Sequence, residues 1–223
     1  MNAHLIPKDS KTSLDYTIKC VLVGEPFVGK STILDILSGE EFRFCRNPTI
    51  GIEFNVLHGI AGVGDDQTHY KIQVWDCAGQ DRFRSIVKSY FRGANVVLAV
   101  FDVTNRKSFD MITTWIKEVR EQTPNKVIIG ILGNKVDLQQ NVSNQEAQNL
   151  VCELDCEFYF PVSAASKRNI EEVMNKSIGL VHKQNLDGII HLKCIKTGET
   201  GETFNLSNSK FLFAKSRCST CSQ

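Results

Sequence analysis

The sequence lacks the features that mark a nucleic-acid binder or a membrane-spanning protein. Its charge is nearly balanced, with 26 Lys and Arg against 25 Asp and Glu, so the basic surplus that phosphate-backbone binding needs is missing. The longest apolar runs, residues 96–101 and 127–132, are about a third of the roughly 20 residues that a bilayer-spanning helix needs. These absences argue against general nucleic-acid binding, and they favour strands over membrane helices.

Targeting signals are also missing from the N-terminal region. The first thirty residues contain no charged segment followed by an apolar run and a cleavage site, and Asn2 replaces the Gly that myristoylation requires. We therefore expect the eight cysteines to be reduced thiols in the cytosol rather than a secreted disulfide framework. With 42% apolar and 23% charged residues, the composition excludes wholesale disorder and indicates one medium-sized domain with tails.

Short β-branched runs alternate with helix-like segments from Tyr16 onward. Six runs predict strands: residues 16–24, 51–58, 69–76, 95–102, 126–133 and 156–162. Helices are predicted after Lys30, over 106–121 and 143–154, and around 170–181. This alternation predicts an α/β fold whose mostly parallel sheet is covered on both faces. The Gly- and Asp-rich residues 59–66 are too few for a crossover helix, so the second and third strands should form an antiparallel hairpin at one edge.

A phosphate-binding motif lies between the first predicted strand and the helix after it. Residues 24–31 match G-x-x-x-x-G-K-S, a loop whose backbone N–H groups surround a phosphate at a helix N-terminus. In this interpretation Lys30 bridges the terminal phosphates, and the Ser31 hydroxyl binds Mg²⁺. The predicted nucleotide contacts in this segment are Gly24, Phe27, Val28, Gly29, Lys30, Ser31 and Thr32.

Two further motifs follow in order along the chain. At the end of the third strand, Asp76 can reach Mg²⁺ through a water molecule, Gly79 can donate its N–H to a γ-phosphate, and Gln80 can orient an attacking water. After the fifth strand, Asn134-Lys135-Val136-Asp137 places a carboxylate where it can accept two hydrogen bonds from guanine. Adenine lacks those donors, so this motif opposes an ATP-using enzyme. Each short motif alone could be an ordinary turn, but their order favours the functional interpretation.

With these loops in place, residues from about 16 to 185 resemble a small GTPase of the Ras superfamily, and within it the Rab family. Five segments carry the Rab-like pattern: residues 50–54, 71–75, 78–85, 90–94 and 99–104. The resemblance implies a P-loop GTPase domain with a mixed six-stranded sheet and about five helices. It also implies a GTP/GDP-dependent switch that uses Mg²⁺, hydrolyses GTP slowly and recruits effectors in vesicle trafficking.

The resemblance further assigns residues and partners. Thr49 would bind Mg²⁺ together with Ser31 and Asp76, Phe42 would lie edge-on to the guanine, and Gln80 would be catalytic. The last base-contacting loop would be Ser163, Ala164 and Ala165. Expected partners are an exchange factor, an activating protein, a GDP-dissociation inhibitor or escort protein, and effectors. A lipid-anchored monomer on the cytosolic face of intracellular membranes is expected. Phe54 and Trp75 are expected on or near the surface that receives an effector, with core packing as the alternative for Phe54.

The sequence departs from the family pattern in three ways: at Pro26 and Phe27, at Ala165, and at its ending. Pro26 and Phe27 replace the usual small loop residues, and Pro donates no N–H, so a weak response to activating proteins is expected. The alternative is a nucleotide-gated scaffold with negligible hydrolysis. Ala165 replaces the Lys that is usual in the family, which predicts modestly faster nucleotide exchange.

The third departure is the ending, where Cys218 and Cys221 stand in a C-x-x-C spacing instead of a usual prenylation motif. Geranylgeranyl groups on one or both are the favoured interpretation; half of a zinc site, a redox pair and unmodified thiols stay open. The expected organisation is therefore a flexible N-terminal extension over 1–15, a small GTPase domain over 16–185 and a flexible, hypervariable tail over 186–223.

Overall fold

A computed structural model describes residues 2–7, 13–44, 49, 51–79, 84–123 and 126–195. The strands are β1 Ala3–Ile6, β2 Tyr16–Val23, β3 Ile52–Ala61, β4 Thr68–Cys77, β5 Val96–Asp102, β6 Ile128–Asn134, β7 Phe158–Pro161 and β8 Lys193–Cys194. The helices are α1 Lys30–Leu37, α2 Arg84–Phe91, α3 Arg106–Asp110, α4 Ile112–Gln122, α5 Asn144–Glu153 and α6 Ile170–Leu186. A short 3-10 turn, Gly64–Asp66, connects β3 to β4.

These strands form one mixed sheet in the order β1-β3-β4-β2-β5-β6-β7, with β8 paired to β2. Neighbours from β4 through β7 are parallel, whereas β3 is antiparallel to both β1 and β4. Every residue of β5 and β6 is buried, because helices cover both faces of the parallel part of the sheet. All six predicted strands are present, so the predicted α/β fold with its antiparallel hairpin is confirmed.

The N-terminal segment is the first correction. Ala3–Ile6, expected to be flexible, pairs with β3 from Ala3↔Ala61 to Ile6↔His58 and so takes the edge position predicted for the hairpin. Ala3 and Leu5 pack on the core beneath α6, and the Leu5 N–H donates to Asn175 Oδ1 at 3.0 Å. Four residues carry too little periodicity to predict a strand; the strand forms because β3 and α6 provide its partners.

The second correction concerns the boundary at residue 186. Beyond α6, Ile190 and Leu192 pack against the core, and β8 pairs antiparallel with Tyr16 and Thr17 of β2. The Ile195 N–H then donates to the Asp15 carbonyl at 2.8 Å. Residues up to 195 of the predicted flexible tail are therefore part of the fold. Cys218 and Cys221 lie outside the described residues.

The sheet separates two apolar layers. Alternate residues of β2 serve opposite faces, with Cys20 and Leu22 in one layer and Val21 and Val23 in the other. The α6 layer also buries a polar pair, in which the Tyr70 hydroxyl and His182 Nδ1 are hydrogen-bonded at 2.7 Å. Burial lowers the pKa of His182 and raises the pKa of Tyr70 to about 12, so a neutral pair is stabilised here.

Candidate nucleotide-binding site

A cavity of about 440 Å³ opens at the carboxyl ends of the parallel strands. Its lining includes thirteen residues predicted to bind nucleotide or metal: Phe27, Gly29, Lys30, Ser31, Thr32, Phe42, Thr49, Gly79, Asn134, Lys135, Asp137, Ala164 and Ala165. Gly24, Val28, Asp76 and Ser163 do not line the cavity, although they belong to the same loops and strand ends. Gln80 lies outside the described residues. The tertiary structure thus gathers segments separated by more than a hundred residues around one space.

Glycine is required where the phosphate loop is most tightly packed. Gly24, with φ of +138°, lies against the Val100 carbonyl, and Gly29, with φ of +96°, precedes the first residue of α1 and lies against the Asn134 amide. A Cβ atom at either position would overlap those neighbours. The loop can therefore bring its backbone N–H groups close to a bound anion at the α1 N-terminus.

Lys30 lies folded against this loop. Its side chain is buried, and Nζ donates to the carbonyl oxygens of Gly24 and Glu25, both at 2.8 Å. Burial lowers the pKa of Lys30, while the nearby Asp76 carboxylate acts in the opposite direction. The two backbone bonds hold the ammonium at the loop side of the cavity, where a terminal phosphate would be bound.

Three oxygen-bearing side chains meet beside Lys30. Ser31 Oγ shares a hydrogen bond of 2.7 Å with Thr49 Oγ1 and donates another to Asp76 Oδ2. Two hydroxyls and one carboxylate are hard oxygen ligands of the kind that Mg²⁺ prefers, with further positions left to water and phosphate oxygens. Among the described residues, no group of three His, Cys, Asp or Glu side chains could hold a metal ion. The donor set fits Mg²⁺.

Gly79 brings the end of β4 against the phosphate loop. A Cβ atom there would lie 2.6 Å from the Pro26 nitrogen and 2.5 Å from the Glu25 carbonyl carbon, so only Gly fits. The Ala78 N–H is held by the Gly51 carbonyl at 3.0 Å. The segment that would sense a γ-phosphate therefore packs directly on the loop that would bind it.

Asn134 joins three loops at the other end of the cavity. Its Nδ2 donates to the Val28 carbonyl at 2.8 Å, and its Oδ1 accepts the Ala164 N–H at 3.1 Å. The Ser163 hydroxyl donates to Asp137 Oδ1 at 2.5 Å, which orients that carboxylate. Lys135, with φ of +69°, forms an ion pair with Asp102 at 2.6 Å. Together these bonds fix the residues that are predicted to select guanine in place relative to the phosphate loop.

Several lining residues had no predicted contact with nucleotide or metal: Pro26, Arg43, Phe44, Cys77, Ala78 and Leu138. Phe44 contacts Phe42 edge-to-face, with ring centroids 5.0 Å apart, so an aromatic pair borders the cavity. The short spacing between two Phe residues was the available sequence signal.

Burial raises the pKa of Cys77 to about 12, so that thiol stays protonated beside Ala78.

An aromatic cluster connects the β3–β4 hairpin with α2. Phe54, 42% exposed, contacts the partly exposed Trp75 with ring centroids 4.7 Å apart, and Trp75 contacts Tyr90 of α2 at 5.3 Å. Lys19 Nζ lies 5.5 Å from the centre of the Trp75 ring. Both aromatic residues expected near a receiving surface are thus in contact, with the Phe54 ring exposed.

Comparison with known proteins agrees with this geometry. A sequence profile of the Ras family matches residues 19–183. Ras-related protein RABA6a of Arabidopsis thaliana is 40% identical over 171 residues, which cover 76% of this chain and 71% of the relative. GTP-binding protein ypt3 of Schizosaccharomyces pombe is 36% identical over 205 residues, covering 88% and 94% of the two chains. The chain belongs to the Rab family of Ras-like GTPases.

These matches confirm two predictions, that the chain is a Rab-family protein and that it is a GTPase. Ras-like GTPases hydrolyse GTP, and they bind GTP or GDP together with Mg²⁺. Lipid attachment and membrane association are typical of Rab proteins. Within the part of this chain that the structure describes, no helix combines the length and apolarity needed to cross a membrane.

Proposed function

We propose that this Rab-family GTPase is a GTP/GDP-dependent switch that hydrolyses GTP slowly and recruits effectors to the cytosolic face of intracellular membranes. The observation that carries the proposal is one cavity bordered by Lys30, Thr49 and Gly79 at one end and by Asn134 and Asp137 at the other. The first three residues belong to the predicted phosphate-binding groups, and the last two to the predicted guanine-binding groups.

The proposed binding mode divides the cavity between phosphates and base. The phosphate loop from Gly24 to Thr32 would hold the phosphates through backbone N–H groups and Lys30. The guanine would contact Asp137 and lie between Phe42 and the segment from Ser163 to Ala165. Ser31, Thr49 and Asp76 would hold Mg²⁺, which when bound neutralises phosphate charge.

Switching would depend on two contacts that already exist beside the phosphate loop. Thr49 is tied to Ser31 by a hydroxyl hydrogen bond, and Gly79 packs against Glu25 and Pro26. A γ-phosphate would add a partner to both segments, and its loss would remove that partner. The aromatic surface of Phe54 and Trp75 lies on the strands that lead to those segments, so it is the proposed effector surface.

The arginine described beside the cavity supports the proposal of slow hydrolysis. Arg43 borders the cavity, but its side chain is 75% exposed and pairs with Glu40 at 3.4 Å. Arg43 is the one arginine among the described residues that line the cavity, and its guanidinium is mostly exposed to solvent, so we propose that an activating partner supplies the positive charge at the transition state. Gln80 is the proposed residue that orients the attacking water.

Two residues favour the alternative of a scaffold with negligible hydrolysis. Pro26 offers no N–H to a phosphate, and Phe27 lines the cavity at φ of +64° with 73% of its surface exposed. A bulky ring at this place would obstruct a side chain that an activating protein inserts. Single-turnover hydrolysis should therefore respond weakly to an activating protein, and strong stimulation would contradict this interpretation.

Turnover in purified protein separates the switch from the scaffold. We expect measurable GTP hydrolysis that disappears in Gln80→Leu while GTP binding is retained. A wild-type rate no higher than that of Gln80→Leu would favour the scaffold. Competition of labelled GDP with unlabelled GDP, GTP and ATP tests the base selectivity, since effective competition by ATP would contradict the role proposed for Asp137.

Membrane attachment is proposed to depend on lipid at Cys218, Cys221 or both. Residues 186–223 carry five Lys and Arg against three acidic residues, which gives little electrostatic attraction to a membrane. Mass spectrometry of protein from its own cells should detect prenyl adducts on these cysteines. A tagged Cys218→Ser, Cys221→Ser double variant should lose membrane localisation, and unchanged localisation would contradict the proposal.

The proposed regulators are an exchange factor, an activating protein and a GDP-dissociation inhibitor or escort protein that recognises the GTPase domain. We propose that the protein acts as a monomer, as its resemblance to the family implies.

A further inference from the structure

The phosphate loop is tied to a helix that does not line the cavity. Glu25, the first residue after Gly24, accepts a hydrogen bond at 3.0 Å from Trp115 Nε1, 90 residues further along the chain. Trp115 is 2% exposed and lies on α4, among the apolar side chains of the second core layer. A buried indole N–H needs a partner, and a carboxylate of the loop provides it.

Glu25 also makes backbone contacts with other parts of the proposed site. Its carbonyl accepts from Lys30 Nζ at 2.8 Å, and its carbonyl carbon is among the atoms that leave no room for a side chain at Gly79. The Trp115 bond thus anchors the residue on which the placement of both Lys30 and Gly79 depends.

The same helix also contacts α2. Glu118, close to Trp115 on α4, pairs with Lys88 of α2 at 3.5 Å. Val87 and Phe91 of α2 are buried in the same core layer as Trp115. Helix α4 therefore touches the phosphate loop with one side chain and α2 with its neighbours.

We propose that Glu25 and Trp115 form a positioning pair that fixes the phosphate loop against α4 and thereby controls how long a guanine nucleotide stays bound. The inference rests on the nucleotide-binding function proposed above. Neither side chain is assigned a contact with the nucleotide; both act through the loop backbone, Lys30 and Gly79.

Loss of the bond should appear as faster nucleotide release. In Trp115→Phe the Glu25 carboxylate loses its donor, and in Glu25→Ala the buried indole loses its acceptor. Hydrogen bonds to charged groups are among the stronger ones in proteins, so each variant should release labelled GDP about tenfold faster. The double variant should be no faster than the faster single variant, because both changes remove one interaction. Glu25→Gln keeps an acceptor oxygen and should recover most of the slow release.

The test measures labelled-GDP dissociation from full-length protein at fixed Mg²⁺, together with the melting temperature of each variant. Thr114→Ala, exposed on the same helix, is the control and should leave the rate unchanged. Rates that multiply in the double variant, or a lower melting temperature with unchanged rates, would overturn the positioning role. If Trp115→Phe fails to fold, the comparison of Glu25→Ala with Glu25→Gln decides, since equal rates in those two would also overturn it. Failure of the wild type to bind GDP would instead refute the proposed function.

Discussion

Replacing Asn134 by Ala should reveal how strongly one side chain holds the site together. Asn134 is 1% exposed and makes two hydrogen bonds, at 2.8 Å to the Val28 carbonyl and at 3.1 Å from the Ala164 N–H. Both backbone partners belong to buried residues, and an unsatisfied buried polar group costs about 1–3 kcal/mol. Allowing for partial relaxation, Asn134→Ala should lower the free energy of unfolding by about 2–4 kcal/mol.

The matched control is Asn141→Ala. Asn141 also donates its side-chain amide to a backbone carbonyl, that of Thr104 at 2.7 Å, but it does so at the exposed surface where water can replace it. Its loss should cost less than about 1 kcal/mol.

Urea unfolding of wild type and both variants, at several GDP concentrations, measures the two changes. Extrapolation to zero GDP isolates the stability of the fold, because bound ligand adds stability in a known way. The slope with GDP concentration reports the affinity, which should fall in Asn134→Ala. A stability loss below about 1 kcal/mol, or one equal to that of Asn141→Ala, would refute the inference that the Asn134 side chain stabilises the fold by joining the loops.

Three further outcomes are expected. Ala165→Lys should slow labelled-GDP dissociation, because a lysine stem would cover the base; an unchanged or faster rate would count against this. Burial lowers the pKa of His182 from its ordinary value of about 6.5, so the unfolded chain binds more protons just below that pH. Stability should therefore fall as pH drops below about 6.5, and the decline should be shallower in His182→Gln, whose amide can still pair with Tyr70; identical pH profiles would contradict this. Asn175→Ala removes the acceptor of the Leu5 N–H, so it should cost about 1 kcal/mol and speed amide exchange in β1, whereas unchanged exchange would show that β1 is held by other contacts.

The hairpin and the two ends of the described chain differ in how far the sequence predicted them. The interval between β3 and β4 was too short for a helix, so local chain length was enough to predict antiparallel pairing. Ala3–Ile6 and Lys193–Cys194 became strands only because unpaired backbone at β3 and β2 was available to them. Pairing of this kind depends on residues far away in sequence, and short segments carry no periodicity that reports it.

In the candidate site, too, some features could be predicted from the sequence and others depended on folding. Lys30, Asn134 and Asp137 were predicted because motif spacing and residue chemistry are local properties. The contact of Trp115 with Glu25 had no such signal, since it arises where α4 passes the phosphate loop in the folded chain. Likewise the 75% exposure of Arg43 and its pairing with Glu40 emerged only from the conformation of the segment after α1.

The sequence by itself determined the fold class, the family and most of the residues around the cavity. Hydrophobic periodicity, loop length and motif chemistry are local properties, so they can be read from the sequence. The tertiary structure alone decided that Ala3–Ile6 forms the edge of the sheet, that residues 187–195 pack on the domain, and that α4 contacts the phosphate loop. Those features depend on contacts between residues that only folding brings together.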